Sequence, residues 1–500
     1  MGRLNVKVSA EVDWKGMNRL EKSLLVTVLV AILLVGCVGG VDSLIGYSVS
    51  GIVVDSEGHG IPDVVLEFNQ GMFGSVITPA TGKWLKTGLT GMVTIVPEKE
   101  GWVFGPKSVS GAASDLTFIG IQSKDSMDIQ KAIDDAPDGD VIIVPPGYYW
   151  GTIDFKGKKI TLRSQDPLDP TIVAMTILIG NGDGPVVTFR SGETSESRLE
   201  GFTITQGTGR LLNAYVGGGV YVGDASPTIS NNTIENNNSD WGGGIAIVSG
   251  SPTITDNVVK NNKARIIGGG IYVSDDASPL IQHNRIKGNS GGQRGGGIYS
   301  FNASPVIRDN VIVDNGCSYW GGGIASEAMG MNPNVVTIQD NLIKSNSASE
   351  GGGVSLDSSV AVLEGNQIIS NNAQRGGGVY LRWGASAEIK QNRFEGNSAD
   401  KGGAIAWWNT RMSSTVITEN DILSNSARTY GGGISAEDGQ GTVFGNYFDG
   451  NEAGVAGGAV AILAFQGGRI FDADGNELVV SDTHNIYDNN VPSNVYIIEY

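Results

Sequence analysis

The stretch RGGGIYSFNASPVIRDNVIVDN, Arg294–Asn315, decides the fold of this chain. It holds a glycine triplet, an apolar residue directly after it, a turn, and then Asn-x-φ-x-x-Asn, in which φ is apolar. Closely similar text precedes and follows it, and the apolar residue after the glycines recurs at gaps of 25, 26, 27, 26, 30, 25, 26, 29 and 26 residues. These residues are Val220, Ile245, Ile271, Ile298, Ile324, Val354, Val379, Ile405, Ile434 and Val460.

A fixed period of this length indicates a stacked repeat, in which each copy buries its apolar side against the next copy. The segments within one period are short, rich in β-branched residues and separated by glycine, and none has the apolar face of a helix. We therefore predict an all-β fold, a parallel β-helix of about 13 coils with three short strands in each coil.

The asparagines of the second motif are expected to stack. At a turn between strands, each amide can bond to the equivalent amide one coil above and below, which satisfies polar groups at a buried corner. A slipped coil would lose these bonds, so the ladder would also fix the register. The predicted ladder consists of Asn232, Asn257, Asn284, Asn310, Asn341, Asn366, Asn392, Asn420 and Asn446.

The alternation of residues after the glycines predicts which side chains are exposed. Ile271 and Val273 should point inward, and Tyr272 and Tyr299 should point outward. Aromatic residues also occur just before some glycine triplets, at Trp241, Tyr319 and Trp320. Together with the two outward tyrosines they form a candidate carbohydrate-binding set, because rings can stack on sugar faces. The alternative is that these rings pack over the turn below.

Aspartates precede several ladder asparagines. Asp256, Asp309 and Asp340 should form a column on one outer edge, with His283 between the first two. Carboxylate oxygens are calcium ligands, so this column is a candidate cation site. The alternative is that these are ordinary solvated turn residues.

The N-terminal segment predicts export. Residues 24–38 are 15 uncharged, mostly apolar residues that follow Arg19 and Lys22. This is the arrangement of a secretory signal, and the segment is short for a membrane span. Leu34–Cys37, LVGC, resembles the lipobox of bacterial lipoproteins, which implies that Cys37 is acylated. An uncleaved membrane anchor is the alternative, and translation can start at Met1 or Met17.

The predicted layout is a signal peptide with lipobox (1–37), a tether (38–45), a small β-sandwich (46–120), an N-terminal helical cap (121–140) and the β-helix (141–500). The segment 46–120 contains short strands separated by Gly/Pro turns, as in GIVVDSEGHGIPDVVLEF and GLTGMVTIVP. It resembles the carboxypeptidase-regulatory-like modules of bacterial surface proteins, which implies a spacer.

The repeat itself is similar to those of the pectin-lyase-like superfamily, which implies a right-handed β-helix. The motifs GGGI or GGAI with FEGN and FDGN are also similar to repeats of chlamydial polymorphic outer-membrane proteins. The resemblance covers about Asp125 to Tyr500. It does not define a function, since one scaffold carries many activities.

The net charge and the cysteine count narrow the range of possible functions. The net charge of −18 disfavours a nucleic-acid partner, because phosphates would be repelled. With two cysteines, one assigned to lipidation, the fold is not held by disulfides. Our leading hypothesis is a lipid-anchored protein of the bacterial cell envelope or surface, whose β-helix is a non-catalytic polysaccharide-binding or adhesin-like module that uses no cofactor. The alternative is a calcium-dependent, pectate-like polysaccharide lyase, with the acidic column as its calcium site.

Overall fold

The computed structural model describes residues 46–55, 58–69, 71–104, 107–125, 127–209, 216–329, 335–408, 415–438, 440–464, 469–471 and 485–499. The chain divides into two compact units, Met1–Gly120 and Ile121–Tyr500. The signal-like segment 24–38, the tether and Cys37 lie outside the described residues. None of the described helices is long and apolar enough to cross a membrane.

The first unit contains two β-sheets that share an apolar core. One sheet joins Tyr47–Val54, Lys83–Leu89 and Ala113–Ile119, and the other joins Val65–Phe68, Ser75–Ile77, Val93–Glu98 and Lys107–Val109. A further short strand is Trp102–Val103. Trp84 lies within the core, with its ring centroid 6.0 Å from that of Phe68 and 5.9 Å from that of Phe118. This unit therefore has a core of its own.

The second unit is a right-handed parallel β-helix, in which every turn of the chain adds one strand to each of three long sheets. In the described part of the chain, sheet 1 has thirteen strands, each of which starts after a glycine-rich turn in the repeated part. They are Ile153–Asp154, Val187–Phe189, Val220–Gly223, Ile245–Val248, Ile271–Ser274, Ile298–Phe301, Ile324–Glu327, Val354–Asp357, Val379–Arg382, Ile405–Trp408, Ile434–Glu437, Val460–Ala464 and Val495–Glu499.

Sheet 2 follows sheet 1 along each coil. Its strands are Val141–Val144, Thr161–Ser164, Arg198–Glu200, Thr228–Ser230, Thr253–Thr255, Leu280–Gln282, Val306–Arg308, Val335–Gln339, Val360–Glu364, Ser386–Lys390, Thr415–Thr418, Gln440–Phe444 and Arg469–Phe471. Its register keeps equivalent residues in line, since Ile254 pairs with Ile281 and Ile281 with Ile307.

Sheet 3 completes the coil. Its strands in this unit are Ile121–Asp125, Gly147–Trp150, Thr176–Ile179, Thr203–Thr205, Thr233–Glu235, Val258–Lys260, Arg285–Lys287, Val311–Val313, Leu342–Lys344, Gln367–Ile369, Arg393–Glu395, Asp421–Leu423, Tyr447–Asp449 and Ile486–Asp488. Short strands also pair between sheet 3 and the glycines of several coils. They are Asn238–Trp241, Lys263–Ile267, Ser290–Gly291, Gly316–Cys317, Ser398–Lys401, Ser426–Tyr430 and Glu452–Ala453.

Two helices accompany the first coils. Helix α1, Met127–Asp135, lies within the predicted cap segment 121–140 and buries Ile129 and Ile133 against the core of the β-helix. Helix α2, Pro170–Met175, was not predicted. It begins where the Asp169 carboxylate accepts a hydrogen bond of 2.8 Å from the Thr171 backbone N–H, with Pro170 in the first turn.

The interior is a stack of identical apolar layers. Ile271, Ile281 and Ile286 represent the three sheets in one coil, and none of them is exposed to solvent. Their counterparts in neighbouring coils are also branched aliphatic residues, so each side chain packs on its equivalent above and below. Trp407 is buried in the same core.

The two corners that flank sheet 3 each carry an asparagine ladder. Asn310 is typical: its Nδ2 donates to Asn341 Oδ1 at 3.0 Å, and its Oδ1 accepts from the backbone N–H of Asn284 at 2.9 Å. Every predicted ladder residue bonds in this way to the next coil. A second ladder follows at Asn237, Asn262, Asn289, Asn315, Asn346, Asn371, Asn397, Asn425 and Asn451.

The glycine triplets form the third corner. The first glycine of a triplet has a positive φ, as at Gly268 with φ +67°. The later glycines face the next coil directly: a Cβ on Gly270 would lie 2.5 Å from the carbonyl oxygen of Gly297. The close approach favours glycine, although alanine takes the third position in two coils, at Ala404 and Ala459; the first two positions are glycine in every repeat.

Candidate functional site on the outer face of sheet 1

The outer face of sheet 1 is partly covered by the residues that precede the glycine triplets. We call these residues the edge column. They are linked from coil to coil by backbone bridges and comprise Val216, Trp241, Ile267, Arg294, Trp320, Glu350, Arg375, Lys401, Tyr430 and Ala456. The chain turns sharply at the first glycine of each triplet. The side chains of the edge column therefore pack over the outward residues of the adjacent strands of sheet 1.

This packing buries the two tyrosines that the alternation predicted to be exposed. Tyr272 is only 5% exposed and Tyr299 only 2% exposed. The Trp241 ring lies 5.8 Å from that of Tyr272, which in turn stacks on Tyr299 at 6.0 Å and 8°. The prediction that both tyrosines present free faces to a sugar is wrong, because their faces are used by neighbouring rings.

Further along the sheet the outer face becomes charged. The Tyr299 hydroxyl donates to Glu327 Oε2 at 2.6 Å, and the Arg294 guanidinium pairs with the same carboxylate. Arg382 pairs with Asp357 at 2.7 Å and with Glu350 at 3.0 Å. Each of these cations is matched by a carboxylate, so this part of the face is neutral and polar.

The charged region continues over two further coils. Arg375 pairs with Glu350 at 3.3 Å, and Lys401 pairs with Glu437. Tyr380 is buried among these groups, and the pKa of its hydroxyl is raised by that burial and by the nearby Glu350 carboxylate. Burial, with the Glu327 carboxylate next, likewise raises the pKa of Tyr299. Both phenols therefore remain neutral at physiological pH.

Trp320 is held between two guanidinium groups. The Arg294 guanidinium carbon lies 4.0 Å from its ring centroid, and the Arg382 guanidinium carbon lies 3.5 Å from it. Two such groups cannot occupy one face of a ring at these distances, so both faces are covered. Trp320 consequently organises the charged region and has no face for a sugar ring. Its neighbour Tyr319 is 56% exposed and is available to a ligand.

The acidic column lies at the corner between sheets 2 and 3. Asp256, Asp309 and Asp340 occupy left-handed turn positions with φ of 57°, 55° and 53°, and His283 occupies the same position with φ of 54°. His283 Nε2 lies 3.8 Å from Asp309 Oδ2, and Arg308 also approaches that carboxylate. Among the described residues, no three His, Cys, Asp or Glu side chains come together as potential metal ligands, and the column is no exception.

A second aromatic feature was missed by the sequence analysis. Trp383 follows the strand Val379–Arg382 and is 50% exposed, and its ring lies 4.7 Å from that of the partly exposed Trp408 at an angle of 75°. The signal was present in the sequence: Trp383 occupies a turn position at which the preceding coil has Ser358.

Comparison with known proteins agrees with the architecture. Residues 176–368 match the family model of the right handed beta helix region, and residues 323–460 match that of the periplasmic copper-binding protein NosD. The fold and these matches define the chain as a right-handed parallel β-helix repeat protein. No curated protein matches the sequence.

A solved structure also aligns with this chain, at low similarity. It is the catalytic unit of the thermostable GH87 α-1,3-glucanase from Streptomyces thermodiastaticus strain HF3-3, with a TM-score of 0.40 and 10% identity over 90% of this chain and 87% of that chain.

The region that matches the NosD model contains no histidine or cysteine, the side chains that most often bind copper.

Proposed function

We propose that this protein is an exported, non-catalytic module that binds polysaccharide along the outer face of sheet 1. The observation that carries the proposal is the composition of that face: exposed rings lie beside charged side chains that are already held in pairs. Arg382, fixed by Asp357 and Glu350, is the central example. Sites for sugars combine apolar rings with a few fixed polar groups in this way.

The rigidity of the face favours binding of a long, repetitive ligand. Its side chains are positioned by strands whose register is fixed at every coil, so little entropy is lost when a ligand binds. The coils repeat along the axis at the spacing of parallel strands, about 4.8 Å. A polysaccharide also repeats along its length, so it can contact several coils simultaneously and gain affinity from several weak contacts.

Export is supported by the signal-like residues 24–38 and by the periplasmic description of the NosD family. We propose that Cys37 carries a lipid that attaches the protein to a membrane of the cell envelope. The acylated mature protein would then begin at Cys37. Mass spectrometry of the protein from the membrane fraction tests this proposal, which fails if the signal is retained and Cys37 is a free thiol.

The binding proposal is tested by calorimetric titration of the purified full chain with soluble oligosaccharides of glucose, mannose, galactose and galacturonic acid. We expect at least one series to bind, with an affinity that increases with chain length. Tyr319→Ala should weaken binding. Leu168→Ala should not, because it removes an exposed side chain that is distant in sequence from this face. Absence of binding to every series would refute the proposal.

The same samples test catalysis. With polygalacturonate and calcium, a lyase would generate an unsaturated product that absorbs in the ultraviolet. We expect no sustained turnover, since Asp309 is approached by a cation and by His283 and does not form part of a cluster of free carboxylates. Turnover that is lost in Asp309→Ala and Asp340→Ala would replace the binding proposal with a lyase.

A further inference from the structure

The backbone conformation at Trp383 is unfavourable for a bulky side chain. Its φ is +52°, in the left-handed region, where a bulky side chain is a true outlier. The equivalent turn positions in six other described coils also have a positive φ but hold small polar residues that tolerate it. They are Asp224, Ser249, Asp275, Asn302, Ser358 and Asp438. One coil therefore replaces a suitable turn residue with the largest side chain, and such strain is concentrated at functional sites.

The strain is not offset by burial in a core. Trp383 remains 50% exposed, and its contact with Trp408 is edge-to-face, with ring centroids 4.7 Å apart and an angle of 75° between the planes. An edge-to-face pair leaves ring surface exposed to solvent, and the two indoles form an L-shaped apolar platform at the edge of sheet 1. Trp408 belongs to the strand that pairs with that of Arg382.

Among the described residues, the charged side chain next to the platform is already paired. Arg382, the residue before Trp383, is paired with Asp357 and Glu350, and its guanidinium also covers Trp320. Ser358 donates its hydroxyl to the Trp383 carbonyl at 2.9 Å. A ligand at the platform would meet ring surface and neutral, paired polar groups. This chemistry suits the apolar face of an uncharged sugar better than a uronate, which needs a free cation.

We propose that Trp383 and Trp408 form a subsite that binds a neutral pyranose ring of a polysaccharide. This inference rests on the proposed function and adds to it the position of one binding subsite and the class of sugar. The edge-to-face pair receives the apolar face of the ring, and the sugar hydroxyls remain directed toward solvent and the paired polar groups.

The test uses the purified full chain and the variant Trp383→Asn. Asparagine tolerates a positive φ, so the variant removes the ring without adding backbone strain. The matched control is Trp150→Asn, because Trp150 is 40% exposed but belongs to sheet 3. The probes are the neutral hexasaccharides of glucose, mannose and galactose and the hexasaccharide of galacturonic acid, each titrated at low and high salt, with the thermal midpoint of each variant measured in parallel.

We expect a neutral hexasaccharide to bind the wild-type chain with little salt dependence, and Trp383→Asn to weaken that binding by about tenfold or more, the loss typical of an aromatic anchor. Trp150→Asn should bind as the wild type does. The thermal midpoint of Trp383→Asn should equal or exceed that of the wild type, since strain is released.

Four results would overturn the inference. Unchanged neutral-sugar binding in Trp383→Asn, with a lowered thermal midpoint, would show that Trp383 only packs against its neighbour. Binding of the galacturonate alone would leave the proposed function intact and reject the neutral subsite. Self-association of the wild type that Trp383→Asn abolishes, without sugar binding, would identify a contact between copies. Failure of the wild type to bind any sugar would refute the proposed function itself.

Discussion

Replacing Asn310 with aspartate tests the asparagine ladder with almost no change in shape. Asn310 is 1% exposed, and its Nδ2 faces three oxygens: Asn341 Oδ1 at 3.0 Å, the Ile281 carbonyl at 2.9 Å and the Arg308 carbonyl at 2.8 Å. Aspartate keeps the Oδ1 that accepts from Asn284, but it places a second oxygen where the two amide protons were.

The cost follows from the lost donors. Two amide protons serve three acceptors, and Asn341 Oδ1 keeps the backbone N–H of Asn310. The variant therefore loses two hydrogen bonds at about 0.5–1.5 kcal/mol each, roughly 1–3 kcal/mol even before its charge is considered. The surrounding oxygens and the burial disfavour the ionised form, so the pKa of the new carboxyl is raised in the folded state. The folded state then binds more protons than the unfolded state above the ordinary aspartate pKa of about 3.9.

The sign of the pH effect is therefore fixed. Protonated aspartate restores one donor, and stability decreases as the pH rises from about 4 to the raised folded pKa, by up to about 1.4 kcal/mol per pH unit. We expect the thermal midpoint of Asn310→Asp, monitored by circular dichroism, to fall below that of the wild type by an amount that is larger at pH 7 than at pH 4. Because β-helices unfold by segments, the comparison is of midpoints and not of global free energies.

The control is Asn238→Asp, at an exposed residue of the strand Asn238–Trp241, which should keep the midpoint and the pH dependence of the wild type. If Asn310→Asp behaved like this control at every pH, the ladder bonds would contribute nothing to stability. The proposed role of the ladder in fixing the register would then have to be abandoned.

Three further predictions concern single positions. Gly322→Ala should lower the thermal midpoint, because the new Cβ would lie 2.5 Å from backbone atoms of the next coil. Gly316→Ala is the control and should be nearly neutral, because its Cβ would meet a flexible hydroxyl at 3.2 Å. Equal midpoints for the two variants would refute the close-packing argument. Tyr299→Phe should destabilise by about 1.5–3 kcal/mol through loss of a bond to a carboxylate, and Tyr380→Phe, whose hydroxyl has no partner of normal hydrogen-bond geometry within the described residues, should cost much less. Burial raises the pKa of the Cys317 thiol to about 11, so at pH 8 iodoacetamide should modify it much more slowly than after unfolding; equal rates would contradict the burial.

The repeated features of the fold could be predicted because stacking demands them. Each coil must present the same backbone to its neighbours, so the glycines and the ladder residues such as Asn310 recur at fixed intervals and reveal the period directly. The inward positions Ile271 and Val273 follow from strand alternation alone. These inferences need only local rules and the assumption that every coil resembles the next.

The outer face could not be predicted in the same way. Alternation correctly places Tyr272 away from the core, but it does not show that the edge column folds over this residue. That cover depends on the angle at which the chain leaves sheet 3, a property of the three-dimensional corner. The pairing of Arg382 across one and two coils, with Asp357 and Trp320, is equally invisible in sequence spacing.

Trp383 shows what a comparison among the repeats could have revealed. The same turn position holds a small polar residue in most coils, so a tryptophan there departs from the pattern that the backbone requires. Exceptions to an internal repeat are informative, because structural needs are shared by all copies and a ligand is contacted by only some of them.

The ladder has a direction that bears on how the chain folds as it is synthesised. The backbone N–H and the side-chain Nδ2 of Asn284 both donate to Oδ1 of Asn310. The same two donors of Asn310 bond to Oδ1 of Asn341, and this order is the same throughout. The backbone N–H of each ladder residue, and one of the bonds of its Nδ2, therefore find their acceptor only when the following coil arrives. A nascent β-helix that leaves the ribosome or an export channel therefore has unpaired hydrogen-bond donors at its growing end. Each finished coil serves as the template on which the next coil folds.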